Sequence, residues 1–440
     1  MGVEQASLTD EELAQLQEST FAYFLRETNP ENGMVPDSTK DNSAASITSI
    51  GFALTAYPIG VERKYLTRTE AIDRVLTTLR FFSNSEQSDA ADATGYKGFY
   101  YHFLDMQTGR RAANCELSTI DTTFLLAGAL TAGMYFDRQT NGEREIRALA
   151  EALYARADWQ WARNGGSTGA HSWKSGKGFQ KYRWEGYSEA LMLYVLGLGS
   201  PTHPLPAKSY SSWTQSYRWK KLYGIEFLYA GPLFIHQLSH MWIDFRGIQD
   251  PYMRAKGIDY FENSRRAAYV QQAYAIRNPK KFTGYGKYGW GITASDGPGP
   301  AERNINGIKR KFFDYKARSI PLGPDDGTLA PWAVIASLPF APELVLPSIK
   351  HFDQAFPEMT SEYGFKCSYN PTFTGEQKGN SGWISQGYYG LDQGPIVMMI
   401  ENYRSGFLWR LMRHCPPVRR GLRRAGFTGS WLAARVTDAS

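Results

Sequence analysis

The chain has 440 residues, 42% hydrophobic and 14% aromatic with 21% charged, which supplies a large core and excludes wholesale disorder. Its three cysteines, Cys115, Cys367 and Cys415, are too few and too scattered for a disulfide framework or a Cys-rich zinc site. The formal charge of +6 is local: from Arg404 onward there are eight Arg and one acid, Asp438, net +7, so the remainder carries −1. Segment 404–436 therefore reads as a solvated, Arg-rich helix end, with Arg419, Arg420, Arg423 and Arg424 around Gly421. It has neither the interleaved aromatics nor a motif of a nucleic-acid binder.

The N-terminus, MGVEQASLTDEEL, lacks the basic and apolar regions of a secretory leader, which predicts a cytoplasmic chain or one whose leader has been removed. Thr9 with Glu12 and Thr67 with Glu70 read as capping boxes, and apolar residues then recur three and four apart in LAQLQESTFAYFLRE and AIDRVLTTLRFF. The longest uncharged stretch, Ser43–Val61, carries five Ser/Thr, two Gly and Pro58, which suits a buried helix and not a membrane span. Further helices are expected over about 117–137, 143–162, 186–199, 208–220, 233–244, 253–277, 327–338, 342–356 and 391–413. Long Gly-, Pro- and aromatic-rich loops separate them, with no β-rich region and no linker. Some helices are apolar all round and others amphipathic, as a double ring of inner and outer helices requires. The expected fold is all-α, a single (α/α)6 toroid over 1–440 with its long loops at one mouth.

Acids open several of the apolar helices: Glu116 and Asp121, Glu185 and Glu189, Asp325 and Asp326, and Asp392; Asp296 lies in a loop. One such acid reads as a helix cap, but four together point to a shared acidic cleft. Paired carboxylates with aromatic walls fit glycoside hydrolysis, one acid protonating the leaving oxygen while the other activates water or attacks carbon. Trp173, Trp184, Trp213, Trp219, Trp290 and Trp383 are candidates to stack on sugar rings, and most of them are also candidates for the core. Gly284, Gly286 and Gly289 spell G-x-G-x-x-G, but no strand precedes them and Pro298 and Pro300 follow, against a phosphate loop. His236 and His240 have a metal-like spacing, but Gln237 stands where a zinc protease needs Glu. The pair, with Asp244, reads as a hydrogen-bonded part of the cleft wall. Nothing calls for a metal or organic cofactor.

FYYHFLDMQTGRRAANCELSTIDTTFLLAGAL, WEGYSEALMLYVLGLGSPTHPLP, YAGPLFIHQLSHMWIDFRGIQD, WGITASDGPG, DDGTLAPWAVIASLPFAPE and GLDQGPIVMMIENYRSGFLWRLM resemble the bacterial "glucoamylase-like" family over about residues 20–427. That family is similar to endo-β-1,2-glucanases of glycoside hydrolase family 144 and neighbours, with an (α/α)6 fold. The resemblance implies a general acid at Glu189, in WEGYSEAL, and a base at Asp392, in the D-Q-G-P block. Retaining relatives have a Glu nucleophile in a W-G-I-S-E-type block. Here WGITASDGPG offers Asp296 instead, which counts against retention. Glu116, Asp121, Glu185, His240, Asp244, Asp326, Trp184, Trp290 and Trp383 are then expected to bind sugar. The implied partner is β-1,2-linked glucan and the implied action inverting and endo. An exo-acting hydrolase releasing sophorose or glucose, a retaining transglycosylase and a non-catalytic glycan-binding protein remain open.

Overall fold

A computed structural model describes residues 8–374 and 382–433; residues 1–7 of the N-terminal stretch and 434–436 of the Arg-rich segment lie outside them. The chain forms two compact units, each assembled from separate segments. The first comprises the chain up to Tyr23, Trp219–Leu238 and Glu262–Arg404; the second comprises Phe24–Arg218, Ser239–Phe261 and the chain from Ser405.

In the second unit the all-round apolar segment becomes the helix Thr119–Tyr135, buried along almost its whole length. It packs on Ile47–Arg63, the uncharged stretch, which is buried from Ile47 to Gly60. Glycine makes this possible: a Cβ on Gly128 would lie 2.1 Å from the Gly51 carbonyl oxygen, and one on Gly51 2.3 Å from that of Phe124. Phe124, Leu125, Leu126 and Leu130 each contribute about 1.5–3 kcal/mol by leaving water. The amphipathic helices Arg68–Asn84 and Asn141–Arg156 bury one stripe only, Ile146, Ala150 and Leu153 in the latter. Thr67 and Glu70 form the expected capping box.

Short strands occur where none was expected. Gly95–Tyr96, Phe99–Tyr101, Leu117–Ser118, Ser172–Lys174 and Gly178–Phe179 form a five-stranded antiparallel sheet, and Ala45–Ser46 pairs with Phe103–Leu104. Two of these strands run straight into helices, Ser46 and Ser118 being the N-cap residues. The pairing therefore fixes what stands at the two helix entrances.

In the first unit Asp10–Arg26, opened by the Thr9–Glu12 capping box, packs on Gly390–Arg404. Gln17 Nε2 donates to the Val397 carbonyl (3.2 Å) and to Glu401 (3.0 Å). Two hairpins, Trp219–Leu222 with Ile225–Leu228 and Ala301–Ile305 with Ile308–Phe312, turn through Tyr223-Gly224 and Asn306-Gly307. All four turn residues have positive φ, as a two-residue turn matched to strand twist demands.

Several helices are shorter than the periodicity predicts. The 253–277 stretch breaks into Pro251–Lys256 and Tyr260–Arg277 at Gly257, whose φ of +70° ends the first helix. The 391–413 stretch divides at Gly406 (φ +65°) into Gly390–Arg404 and Phe407–Met412. The 208–220 stretch stops at Thr214, 233–244 forms two 3₁₀ turns, and 327–338 reduces to Pro331–Ile335. The Arg-rich segment is not simply a solvated helix end. Arg420 Nε donates to the Gly199 carbonyl (2.7 Å) and Arg424 to that of Leu198 (2.9 Å), meeting the last carbonyls of the helix Leu191–Gly199. Among the described residues no helix is long and apolar enough to cross a membrane.

Candidate active site

The two helix entrances of the second unit converge on a histidine that no motif advertised. His102 lies between the strands Phe99–Tyr101 and Phe103–Leu104; its N–H donates to the Glu116 carbonyl (2.9 Å) and its carbonyl accepts from Ile47 (3.2 Å). The ring stacks on Phe103 at 3.9 Å. Nδ1 stands 3.0 Å from Glu116 Oε1, and Nε2 3.7 Å from Asp121 Oδ1. Asp121 is the third residue of its helix: its N–H donates to the capping Ser118 hydroxyl (3.2 Å), while Ser118 and Thr48 (2.6 Å) donate to its carboxylate. Asp37 belongs to the same group. Its N–H donates to the Ala44 carbonyl (2.7 Å), beside the strand that pairs with Phe103–Leu104.

Charge organises the group. Burial alone would favour neutral His102, but Asp121, Glu116 and Asp37 raise its pKa to about 9, so it is an imidazolium at neutrality. Burial lifts Asp37 to about 6, with Asp121 adding to the shift and His102 opposing it. His102 holds Glu116 below the usual glutamate value against the upward pull of burial.

Glu189 is set by the next segment. The helix expected over 186–199 begins only at Leu191, so Glu189 stands two residues before it, in a turn whose Gly186 has φ +78°. Ser239 Oγ donates to the Glu189 carbonyl (3.3 Å) and accepts from Met192 N–H (3.1 Å), tying the turn to the start of the helix. The half-buried carboxyl has its pKa raised by burial, with a further push from the Asp121 charge, to about 7. It therefore retains a proton where an ordinary glutamate has lost it.

The first unit gathers a second group. Asp296 follows the strand Ala294–Ser295, which pairs with Lys316–Ala317; Asp392 is the third residue of Gly390–Arg404. Ser385 donates to Asp296 Oδ2 (2.8 Å) and Ser368 to its carbonyl (2.8 Å), while its own N–H donates to the Cys367 sulfur (3.4 Å). Burial, with the Asp392 and Asp296 charges adding to it, drives the Cys367 thiol pKa far up. Ser368 and Ser385 face each other at one end of the Tyr369–Asn370 and Trp383–Ile384 pairing, where the Ser385 N–H donates to the Ser368 carbonyl (2.9 Å).

Other expected sugar-binding residues prove structural. Asp326 forms a fully buried ion pair with Arg318 (2.7 and 2.9 Å) and also accepts from Phe313 N–H (2.9 Å) and Thr328 N–H (3.1 Å). Asp244, its side chain wholly buried, is clasped by Arg246 (2.7 and 2.8 Å) and Arg413. His240 is buried with its ring 4.8 Å from Phe245, and its carbonyl accepts from Trp409. Trp290 is completely buried and donates to Ser348 (2.9 Å), so neither face is open to a sugar. Trp184 is buried beneath His171, stacked at 3.8 Å, and donates to Thr119 (2.9 Å). Trp173 and Trp213 are buried as well. Glu185 is exposed, 3.4 Å from the Thr168 hydroxyl, and Trp219 and Trp383 are half-buried. Asp325 accepts from Tyr274 (2.6 Å) and Tyr285 (2.5 Å). His102 and Asp37 were not expected: His102 lies in FYYHFL, inside a stretch read as loop, and Asp37 in VPDST has no local motif.

The chain is similar to proteins of known structure and activity. A crystal structure of a "putative glucoamylase" from Bacteroides uniformis superposes with a TM-score of 0.84 at 31% identity, covering 97% of this chain and all of that one. The endo-β-1,2-glucanase from Chitinophaga pinensis, solved with sophorotriose and glucose, gives 0.82 at 27% identity, covering 97% and 100%. An exo β-1,2-glucooligosaccharide sophorohydrolase of Parabacteroides distasonis is 27% identical over 95% of this chain, which spans 58% of that relative's length. The broadly helical fold, 46% helix with short strands added, is of the (α/α)6 type of these neighbours. Residues 181–416 match the Glycoamylase family, described as "Putative glucoamylase", and the chain belongs to that family.

Proposed function

We propose that the chain is an inverting glycoside hydrolase that cuts β-1,2-glucan within the chain, with Glu189 as general acid and Asp392 as base. What carries this reading is the placement of the half-buried Glu189 carboxyl, whose pKa burial, with a push from Asp121, raises to about 7. A donor to a leaving glycosidic oxygen needs that protonation at its working pH. Asp392 as base rests on its D-Q-G-P block, and the proton passes through a substrate hydroxyl or water as in the inverting relatives the sequence resembles. His102, Asp121 and Glu116 offer an imidazolium and two carboxylates, a set that suits sugar hydroxyls, which both donate and accept.

Digestion of linear β-1,2-glucan, followed by proton NMR of the nascent anomers and by product sizes, tests the proposal. It predicts fresh α-anomer and mixed short oligosaccharides. Sophorose as sole early product would make the enzyme exo-acting, and fresh β-anomer would move Asp296 into a nucleophile role. Binding without products would leave a glycan-binding protein.

A further inference from the structure

We propose that Tyr187 and Tyr260 are positioning residues for the acid: Tyr187 anchors the turn that carries Glu189 on a ring plane that Tyr260 holds through its bond to buried Asp250. This rests on the reading of Glu189 as the acid. In the run 185–189 Tyr187 is the one buried side chain, while Glu185 is exposed and Glu189 half-buried. Its ring stacks on Tyr260, with centroids 5.8 Å and planes 27° apart, and meets Tyr217 edge-on at 5.7 Å. The backbone beside it is tied to the same place. Gly186 N–H donates to the Trp213 carbonyl (3.2 Å), and a Cβ on Gly186 would lie 3.4 Å from the Ser216 hydroxyl oxygen. Beneath the two rings the hydrogen bonds run in one direction. Asp250 is completely buried, and its Oδ2 accepts from Tyr210 (2.6 Å) and Tyr260 (2.8 Å). Its Oδ1 caps the helix Pro251–Lys256 by accepting from Met253 N–H (2.7 Å). A phenol has one proton, so Tyr260, having given its own to Asp250, accepts from Tyr217 (3.0 Å). Hydrogen bonds to a carboxylate are the stronger kind, so the Tyr260 ring is fixed at its hydroxyl end and offers Tyr187 a plane that does not slide. Glu189 is thus held from two sides, by Tyr187 two residues before it and by Ser239 at its carbonyl (3.3 Å).

The test uses the full chain on linear β-1,2-glucan. Tyr187→Leu is expected to lower kcat about tenfold at nearly unchanged KM, because a displaced acid slows the chemical step and not the binding. Tyr187→Phe keeps the ring and is expected to recover most of that loss. Tyr260→Phe keeps both rings but cuts the bond to Asp250, and is expected to show a smaller loss of the same kind. Parental kcat in the leucine variant, a phenylalanine variant at position 187 no better than leucine, or a loss that appears in KM overturns the proposal. Parental kcat in Tyr260→Phe overturns the part given to Tyr260. A second readout needs no activity. In protein labelled at the glutamate carboxyl carbon, the nuclear magnetic resonance that vanishes in Glu189→Gln is expected to titrate at about 7 in the parent, where burial and the Asp121 charge hold it. In Tyr187→Leu it is expected to titrate at lower pH, because the loosened turn lets water reach the carboxyl. An unmoved titration overturns the proposal whether or not the parent cleaves glucan. A parent that leaves glucan intact while the titration moves rejects the hydrolase reading and keeps the anchored turn.

Discussion

The two acid groups solve the burial of carboxyls in opposite ways. Around His102 a cation stands among Asp37, Glu116 and Asp121, and the neighbouring Glu189 is left with a proton. Around Cys367 the donor to the Asp296 carboxylate is the Ser385 hydroxyl, while the nearby guanidinium of Arg318 is committed to Asp326. The difference matches the chemistry each group is proposed to serve. An acid must stay protonated beside negative charge, whereas a base must stay ionised yet free to take a proton. Compensation by a full charge suits the surroundings of the first, and compensation by neutral dipoles suits the second.

Three substitutions, read in four measurements, press on this contrast. Glu189→Gln should reduce kcat on β-1,2-glucan about thousandfold with the far-ultraviolet dichroism unchanged; near-parental turnover would end its role as acid. Asp326→Asn leaves buried Arg318 without its charged partner and should cost about 3–5 kcal/mol in urea unfolding. A loss below 1 kcal/mol would mean that the first unit does not depend on this charge. The pH dependence of stability is a finer probe. With its folded pKa raised to about 7, Glu189 contributes stability that is present below the unfolded glutamate pKa and lost as pH rises through 7. Glu189→Gln should flatten that fall and gain on the order of 2 kcal/mol at pH 8, read from melts across pH; parallel parent and variant profiles would deny the raised pKa. Last, His102→Gln removes the cation that offsets Asp121, so the alkaline limb of kcat should move up by about half a pH unit. An unmoved limb would separate His102 from Glu189.

Much of the helical frame is legible because it follows from periodicity and caps. Thr67-Glu70 and the uninterrupted apolar run at 119–135 are local signals that packing does not override. The misreadings have local causes too. Gly257 and Gly406 take left-handed conformations inside stretches that keep a helical period, and the period does not register them. Tyr223-Gly224 and Asn306-Gly307 are hairpin turns, the first between the helices expected over 208–220 and 233–244, the second in a stretch read as loop. The acids were visible as residue types, but their roles were not, because no motif marks Arg318 as the partner of Asp326, and Arg413 reaches Asp244 from 169 residues further along the chain. The same holds for His102, made conspicuous only by strand pairing between segments that are individually unremarkable.

The arginines at Gly199 and Leu198 add a matter of timing. The helix that follows Glu189 has its far end closed by residues 221 and 226 positions later in the chain. During synthesis the ribosome delivers Glu189 long before Arg420 and Arg424 exist, and until they dock that helix presents bare carbonyls at its end. The nascent chain therefore holds its acid on an unfinished support until the segment carrying Arg420 and Arg424 has been made.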